Sequence, residues 1–317
     1  MNRILLIMLA VVAFAEMTTA QKFELIQYGD FNNWITREIK ESGVIGGKKR
    51  NVYEIGPNAV VKGNIAYRNA GGSPWATSNV YAKVSGISKA SNAVFPERRH
   101  ENDFCVKLCT CIESVKVLHV VNMDVLVAGS IFLGEMIEPI TNTKNPMSKM
   151  EMGVPFTRKP KYLGFDYRLD IPSDNLRVKS TGFGSKKTLH GSDSAVVFVF
   201  IQKRWEDKDG NIHALRIGTG GKMFGNSTSW INGYRLPIVY GECTGIEGME
   251  WLGLRTGNQR YYARNSKGKL VPVNEDKWGD GSETPTHVIL MISSASGEPY
   301  VGTPGMTMYV DNVGFYF

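Results

Sequence analysis

Apolar and polar residues alternate along most of this chain in short runs, each cut off by Gly, Pro, Asn or Asp. NVYEIG (51–56), VVKGNIAYRN (60–69) and NVYAKVSGIS (79–88) are examples, and a two-residue period marks a strand with one face covered. FCVKLCTCIESVKVLHVVNMDVLVAGSIFLGEM (104–136) reads as strands around a bend near VNMD. AVVFVFIQKRW (195–205) is apolar on both faces at first, which predicts a central strand. It runs into EDKDGN, whose Asp209-Gly210 signals a hairpin, and IHALRIG is the return strand. HVILMISSAS (287–296) and MTMYVDNVGFYF (306–317) close the series. Only ITREIKESG (35–43) has a helical period, enough for a turn or two. The pattern predicts an all-β sandwich of antiparallel strands with long loops.

The last strand poses a problem. In YVDNVGFYF (309–317) the odd positions Tyr309, Val313, Phe315 and Phe317 form an apolar face, and Asp311 falls on it. A carboxylate buried there without a partner would be costly.

The first twenty residues stand apart. Arg3, the apolar run 4–15 and the small residues Thr18 and Ala20 have the form of a secretory signal cleaved near Ala20. Residues 21–317 are then one exported domain, in the periplasm, on the cell surface or secreted, with no further stretch long enough to span a membrane. The formal charge of +7 is scattered, with short clusters at KKR (48–50) and SKK (185–187). Anionic partners such as acidic polysaccharides fit a basic excess, but solvated surface charge fits the scatter better. No nucleic-acid-binding signature is present, so nucleic acid is not expected as a partner.

Familiar catalytic motifs fail on inspection. GTGGK (218–222) lacks the upstream glycine of a phosphate loop, and DKDGN (207–211) has its glycine too early for a calcium helix-loop-helix. The five histidines are dispersed, and there is no G-x-S-x-G. Cys105, Cys109 and Cys111 share strand parity, which makes them poor partners for one another. At most one disulfide is expected, from Cys243 to one of them.

What remains is aromatic and acidic. The irregular, glycine-rich stretch 241–285 reads as long loops at one end or face of the sandwich. Trp205, Trp230, Trp251, Tyr261, Tyr262 and Trp278 lie beside polar residues, and flat rings of this kind stack on sugars. Arg255, Asn258 and Gln259 are placed to fix hydroxyls, whereas Trp34 and Trp75 read as core. Glu242, Glu247, Glu250, Asp276, Asp280 and Glu283 share the stretch and could supply the two carboxyls of a glycosidase.

These segments also carry a resemblance. YGDFNNWITREIKESGVIGGKKRNVYEIGP (28–57), SPWATSNVYAKVSG (73–86), MGVPFTRKPKYLGFDYRLDIP (152–172) and PTHVILMISSASGEPYVGTPGMTMYVDNVGFYF (285–317) resemble the putative carbohydrate metabolism domain (PCMD) family of exported bacterial proteins. Thr307, Asn312 and KLCT (107–110) depart from its pattern. The resemblance implies a jelly-roll-type β-sandwich, with N-terminal strands in 21–73 and a family core in 74–317. It also implies a role with polysaccharides or oligosaccharides at the cell envelope, alongside partners of a glycan-uptake system. The expected function is non-catalytic carbohydrate binding, with glycoside hydrolysis as the alternative. GDF…W and VDNV further resemble the paired ends of jelly-roll carbohydrate-binding modules, where a structural calcium often sits. Asp311, Asp30 and Asn32 would then hold the ion; otherwise Asp311 accepts backbone N–H groups from the N-terminal segment.

Overall fold

Strands of alternating residues need partners on both edges, and here they find them in two large sheets. The computed structural model describes residues 21–317 except 70, 118–120, 183 and 297, so the signal segment at 1–20 lies outside the described residues. In chain order the strands begin with Phe23–Leu25 (β1), Trp34–Lys40 (β2), Lys49–Ile55 (β3), Ala59–Lys62 (β4) and Trp75–Thr77 (β5). Val80–Val84 (β6), Ile87–Ser91 (β7), Val94–His100 (β8), Asp103–Val117 (β9) and Val121–Ala128 (β10) follow. Next come Ser130–Met136 (β11), Met150–Met152 (β12), Val154–Pro155 (β13), Tyr162–Asp170 (β14), Val178–Lys179 (β15) and Lys187–Thr188 (β16). Ala195–Glu206 (β17), Ile212–Phe224 (β18), Thr228–Pro237 (β19), Val239–Tyr240 (β20), Tyr262–Arg264 (β21) and Leu270–Trp278 (β22) lead to the end. His287–Ser293 (β23), Val301–Gly302 (β24) and Thr307–Tyr316 (β25) complete the series.

The all-β reading holds: among the described residues the only helical elements are short 3-10 turns, and no helix is long and apolar enough to cross a membrane. ITREIKESG is not helical. Its Ile35, Arg37 and Ile39 point inward from β2, which is paired with β3 on one side and β4 on the other. Isoleucines four apart fit a helix as well as a strand, and the waiting partners decide.

The seven-stranded sheet runs β10-β9-β25-β14-β19, with β1 beside β25 and β8 beside β9. The first and last strands are therefore neighbours: Phe23 opposes Tyr316, and the Val313 N–H donates to the Gly29 carbonyl at 2.8 Å. The ten-stranded sheet behaves differently. Seven of its strands, β23-β17-β18-β22-β21-β12-β11, close into a ring because β11 also pairs with β23.

Alternation along β17 shows what each layer contains. Val197, Val199 and Ile201 face the seven-stranded sheet and share a core with Val106, Leu163, Phe165 and Val310. Val196, Phe198 and Phe200 face into the ring, against Phe132, Met152, Leu252, Tyr261 and Ile289. That is why AVVFVFI is apolar on both sides. Trp34 and Trp75 are core residues as expected, at 8% and 1% exposed.

Candidate functional site

The aromatic residues grouped at 251–278 do come together, but they point inward. Tyr261 is buried, 6.3 and 5.9 Å from the rings of Phe198 and Phe200. Trp251 is half-buried beside Leu252, its indole N–H donating to the Gly248 carbonyl at 3.0 Å. Trp278 lies 5.5 Å from the Arg216 guanidinium, and that guanidinium stacks 3.5 Å above Phe200. The Arg255 guanidinium faces the same two phenylalanines, and its backbone N–H donates to Glu275. Tyr262 turns away, its hydroxyl accepting from Asn145, and Asn258 and Gln259 sit on an exposed 3-10 turn.

Glu275 anchors this cluster. It is 5% exposed and takes hydrogen bonds from Arg216 Nε at 2.7 Å, from Arg216 Nη2 at 2.5 Å and from the Gln202 amide. The sequence gives no sign of it, because its partners come from two separate strands, β17 and β18, and from the loop that carries Arg255. The irregular stretch 241–285 thus supplies two strands of the ring, β21 and β22, and a plug inside it. The carboxylates of this stretch do not converge there. Glu283 accepts the N–H groups of Asp280 and Gly281, Asp276 pairs with His213, and Glu242, Glu247 and Glu250 are exposed.

Trp205 is different. It ends β17 on the outer side of the ring at 43% exposed, the most open of the predicted rings. Its cross-strand partner His213 lies flat against it, with centroids 5.4 Å apart and an interplanar angle of 14°. The imidazole is held at both nitrogens, Nδ1 by Asp276 at 2.8 Å and Nε2 by Asp207 at 3.1 Å. The hairpin DKDGN explains Asp207: its carboxylate accepts the N–H groups of Asp209 and Asn211 and the Asn211 amide. One aromatic face is therefore fixed from behind and flanked by carboxylates. Asp207 and then Asp276 favour the imidazolium and raise the His213 pKa above 6.5. We expect its ring proton shifts to titrate above 6.5 by NMR, and the midpoint to fall in Asp207→Asn or Asp276→Asn. An unchanged midpoint would refute the clamp.

A third grouping lies on the outer face of the seven-stranded sheet. β25 carries a bulge at Asn312–Val313, where Asn312 has φ 52°. The extra residue swaps the faces: Val310, Val313 and Phe315 enter the core, while Tyr309 and Asp311 turn outward. The single apolar face read from odd positions is thus corrected. Asp311 stands directly opposite Asp166 on β14, and Arg99 from β8 bridges them, its Nη1 at 2.5 Å from Asp311 and 2.8 Å from Asp166. Trp230 covers Arg99, with its ring centroid 4.1 Å from the guanidinium.

Burial pushes Asp311 up to about 6 despite Arg99. Burial works the same way on Asp166, but bonds from Asn312, the Gly233 N–H and Arg99 outweigh it and hold that carboxyl below its usual range.

The cation beside Asp311 is therefore an arginine. Asn32 spends its amide elsewhere, donating to Asp103 at 3.2 Å and accepting the Phe104 N–H at 2.8 Å, and Asp30 is half-buried. Among the described residues no three His, Cys, Asp or Glu side chains gather as a metal site. The four cysteines are unbonded: Cys243 lies inside the ring, and the other three lie on β9 of the other sheet. Burial pushes the Cys105 and Cys111 thiols up to about 12.

A family model described as "putative carbohydrate metabolism domain" matches residues 48–209, just over half of the chain. The chain belongs to that family. The match takes in β3 to β17 and the PFTRKP motif, but it stops before β22 and β25. Among solved structures, a putative glycoside hydrolase from Bacteroides thetaiotaomicron is 16% identical, with 86% of this PCMD chain and 68% of that one covered and a TM-score of 0.47. Another from Bacteroides vulgatus is 12% identical, with 93% and 94% covered and a TM-score of 0.42. Both likenesses are too loose to carry an argument about the site. No curated protein matches the chain.

Proposed function

We propose that this PCMD protein is an exported, non-catalytic carbohydrate-binding protein of jelly-roll type that docks an oligosaccharide or polysaccharide on Trp205. The observation that carries the reading is the open indole face, locked in orientation by a stacked His213 that two carboxylates hold. A ring fixed before binding loses little freedom when a sugar stacks on it, and Asp207 and Asp276 lie where hydroxyls need acceptors. The family's description is in keeping with a glycan ligand.

A glycan array with residues 21–317 would identify the ligand. Trp205→Ala should then weaken binding of the hit by about 1 kcal/mol or more, and Trp205→Phe by less. Wild-type affinity in the alanine variant would overturn the assignment.

A second reading, glycoside hydrolysis, has one observation in its favour. Asp166 and Asp311 are adjacent carboxyls whose ionisation is pushed in opposite directions, as an acid and its partner require. Arg99 occupies the space between them and leaves them 8% and 1% exposed, which favours binding over catalysis. Release of reducing sugar from an array hit, lost in both Asp166→Asn and Asp311→Asn, would reverse that preference.

A further inference from the structure

The formal charge of +7 is not spread evenly through the fold. Residues 34–91 hold nine Lys and Arg against three Asp and Glu, an excess of six. This stretch folds as one lobe, in which the β3-β2-β4 sheet packs on the β6–β7 hairpin around Ile39, Val52, Tyr81 and Ala90. Two of these three acids are withdrawn from the surface. Glu54 and Glu41 are buried, and Glu38 is half-buried.

Its lysines are not withdrawn. Lys40, Lys48, Lys49 and Lys62 are all exposed. Among the described residues, the ion pairs at this lobe's surface are those of Arg50 and Lys89 with Glu41 and of Lys89 with Glu113. Because Ile35, Arg37 and Ile39 point inward, Thr36, Glu38 and Lys40 belong to the solvent side of the sheet. The register sets Lys40 directly opposite Lys49, and Glu38 between Asn51 and Lys62. Like charges opposed across a strand pair destabilise it, and among the described residues no carboxylate is paired with either lysine to offset that.

We infer that this sheet face is a docking surface for a polyanionic polysaccharide, one bearing carboxylate or sulfate groups along its chain. Anions seated between Lys40, Lys49 and Lys62 would relieve the repulsion, while Thr36 and Asn51 on the same face supply hydroxyl partners. A lipid surface fits less well. Trp34, Tyr67, Trp75 and Tyr81 are buried and Tyr53 is half-buried, so the lobe exposes no aromatic anchor for a bilayer interface. The surface is separate from Trp205 and stands whether or not that site binds sugar.

The test is binding of residues 21–317 to immobilised polygalacturonate, with neutral dextran, anionic phospholipid vesicles and a DNA duplex as parallel arms. We expect salt-sensitive retention on polygalacturonate and none on dextran. The charge reversal Lys40→Glu/Lys49→Glu should lower that affinity by about tenfold or more, whereas Trp205→Ala should leave it unchanged. Circular dichroism confirms that the variants are folded; should the double reversal fail to fold, Lys40→Gln and Lys62→Gln serve in its place. Undiminished binding by the folded charge variants would overturn the inference. So would binding to vesicles or duplex in preference to polygalacturonate.

Discussion

Replacing Arg37 by methionine is expected to destabilise the protein by about 3–5 kcal/mol, because it strands two carboxylates in the interior. Arg37 is 1% exposed and donates to Glu54 at 2.8 Å and to Glu138 at 2.5 Å. Glu138 also accepts the N–H groups of Tyr67 and Tyr81, so this single cluster fastens the basic lobe to the body beyond β11. Burial pushes Glu54 up to about 8 even with the arginine present. A folded pKa above the ordinary 4.5 means that its contribution is complete below pH 4.5 and disappears as pH climbs through about 8. The methionine variant should accordingly lose more stability at alkaline than at acid pH. The triple change Arg37→Met/Glu54→Gln/Glu138→Gln should recover much of the deficit, since no unpaired charge is then buried. Urea denaturation measures all of this, and a loss below about 1 kcal/mol would show that the carboxylates are rehydrated instead.

Asp311 gives the second large effect. Its folded pKa of about 6 exceeds the ordinary 3.8, so the stability it provides is complete below pH 3.8 and vanishes as pH rises through 6. Asp166 has the opposite sign: held below its usual range, it contributes above pH 3.8 and loses that contribution as pH falls. Asp311→Asn isolates the first of these. Between about pH 3 and pH 8 the stability difference between variant and wild type should move by about 3 kcal/mol in the variant's favour. Denaturation midpoints at the two pH values provide the check, and parallel pH profiles for the two proteins would contradict it.

The architecture was legible where side-chain periodicity is simple. The two-faced run at 195–201 announced a strand with a core on each side, and Asp209-Gly210 marked its hairpin. It was illegible where one backbone residue changes the arithmetic. The bulge at Asn312–Val313 inverts the parity of β25, and no rule of alternation reports an inserted residue in advance. The closure of β11 on β23 was likewise hidden, since those pairings join residues far apart in the chain.

For the candidate site the division is similar. Trp205 was named from its polar setting, but its orientation depends on Asp276 reaching His213 from another strand. Trp251, Arg255, Tyr261 and Trp278 lie together on the inner side of the ring, not on an open face. Their direction was missed because glycine-rich sequence looks the same whether it loops into water or plugs a ring.

The position of β25 has a consequence for how the chain matures. This strand lies between β9 and β14, in the middle of its sheet, yet it follows both of them at long range along the chain. Without Thr307–Tyr316, β9 and β14 would each present an open edge, because the β8-β9-β10 and β14-β19 parts of the layer are joined through β25. Joining those two halves is therefore a long-range step, and it is expected to make this layer the slow one to complete.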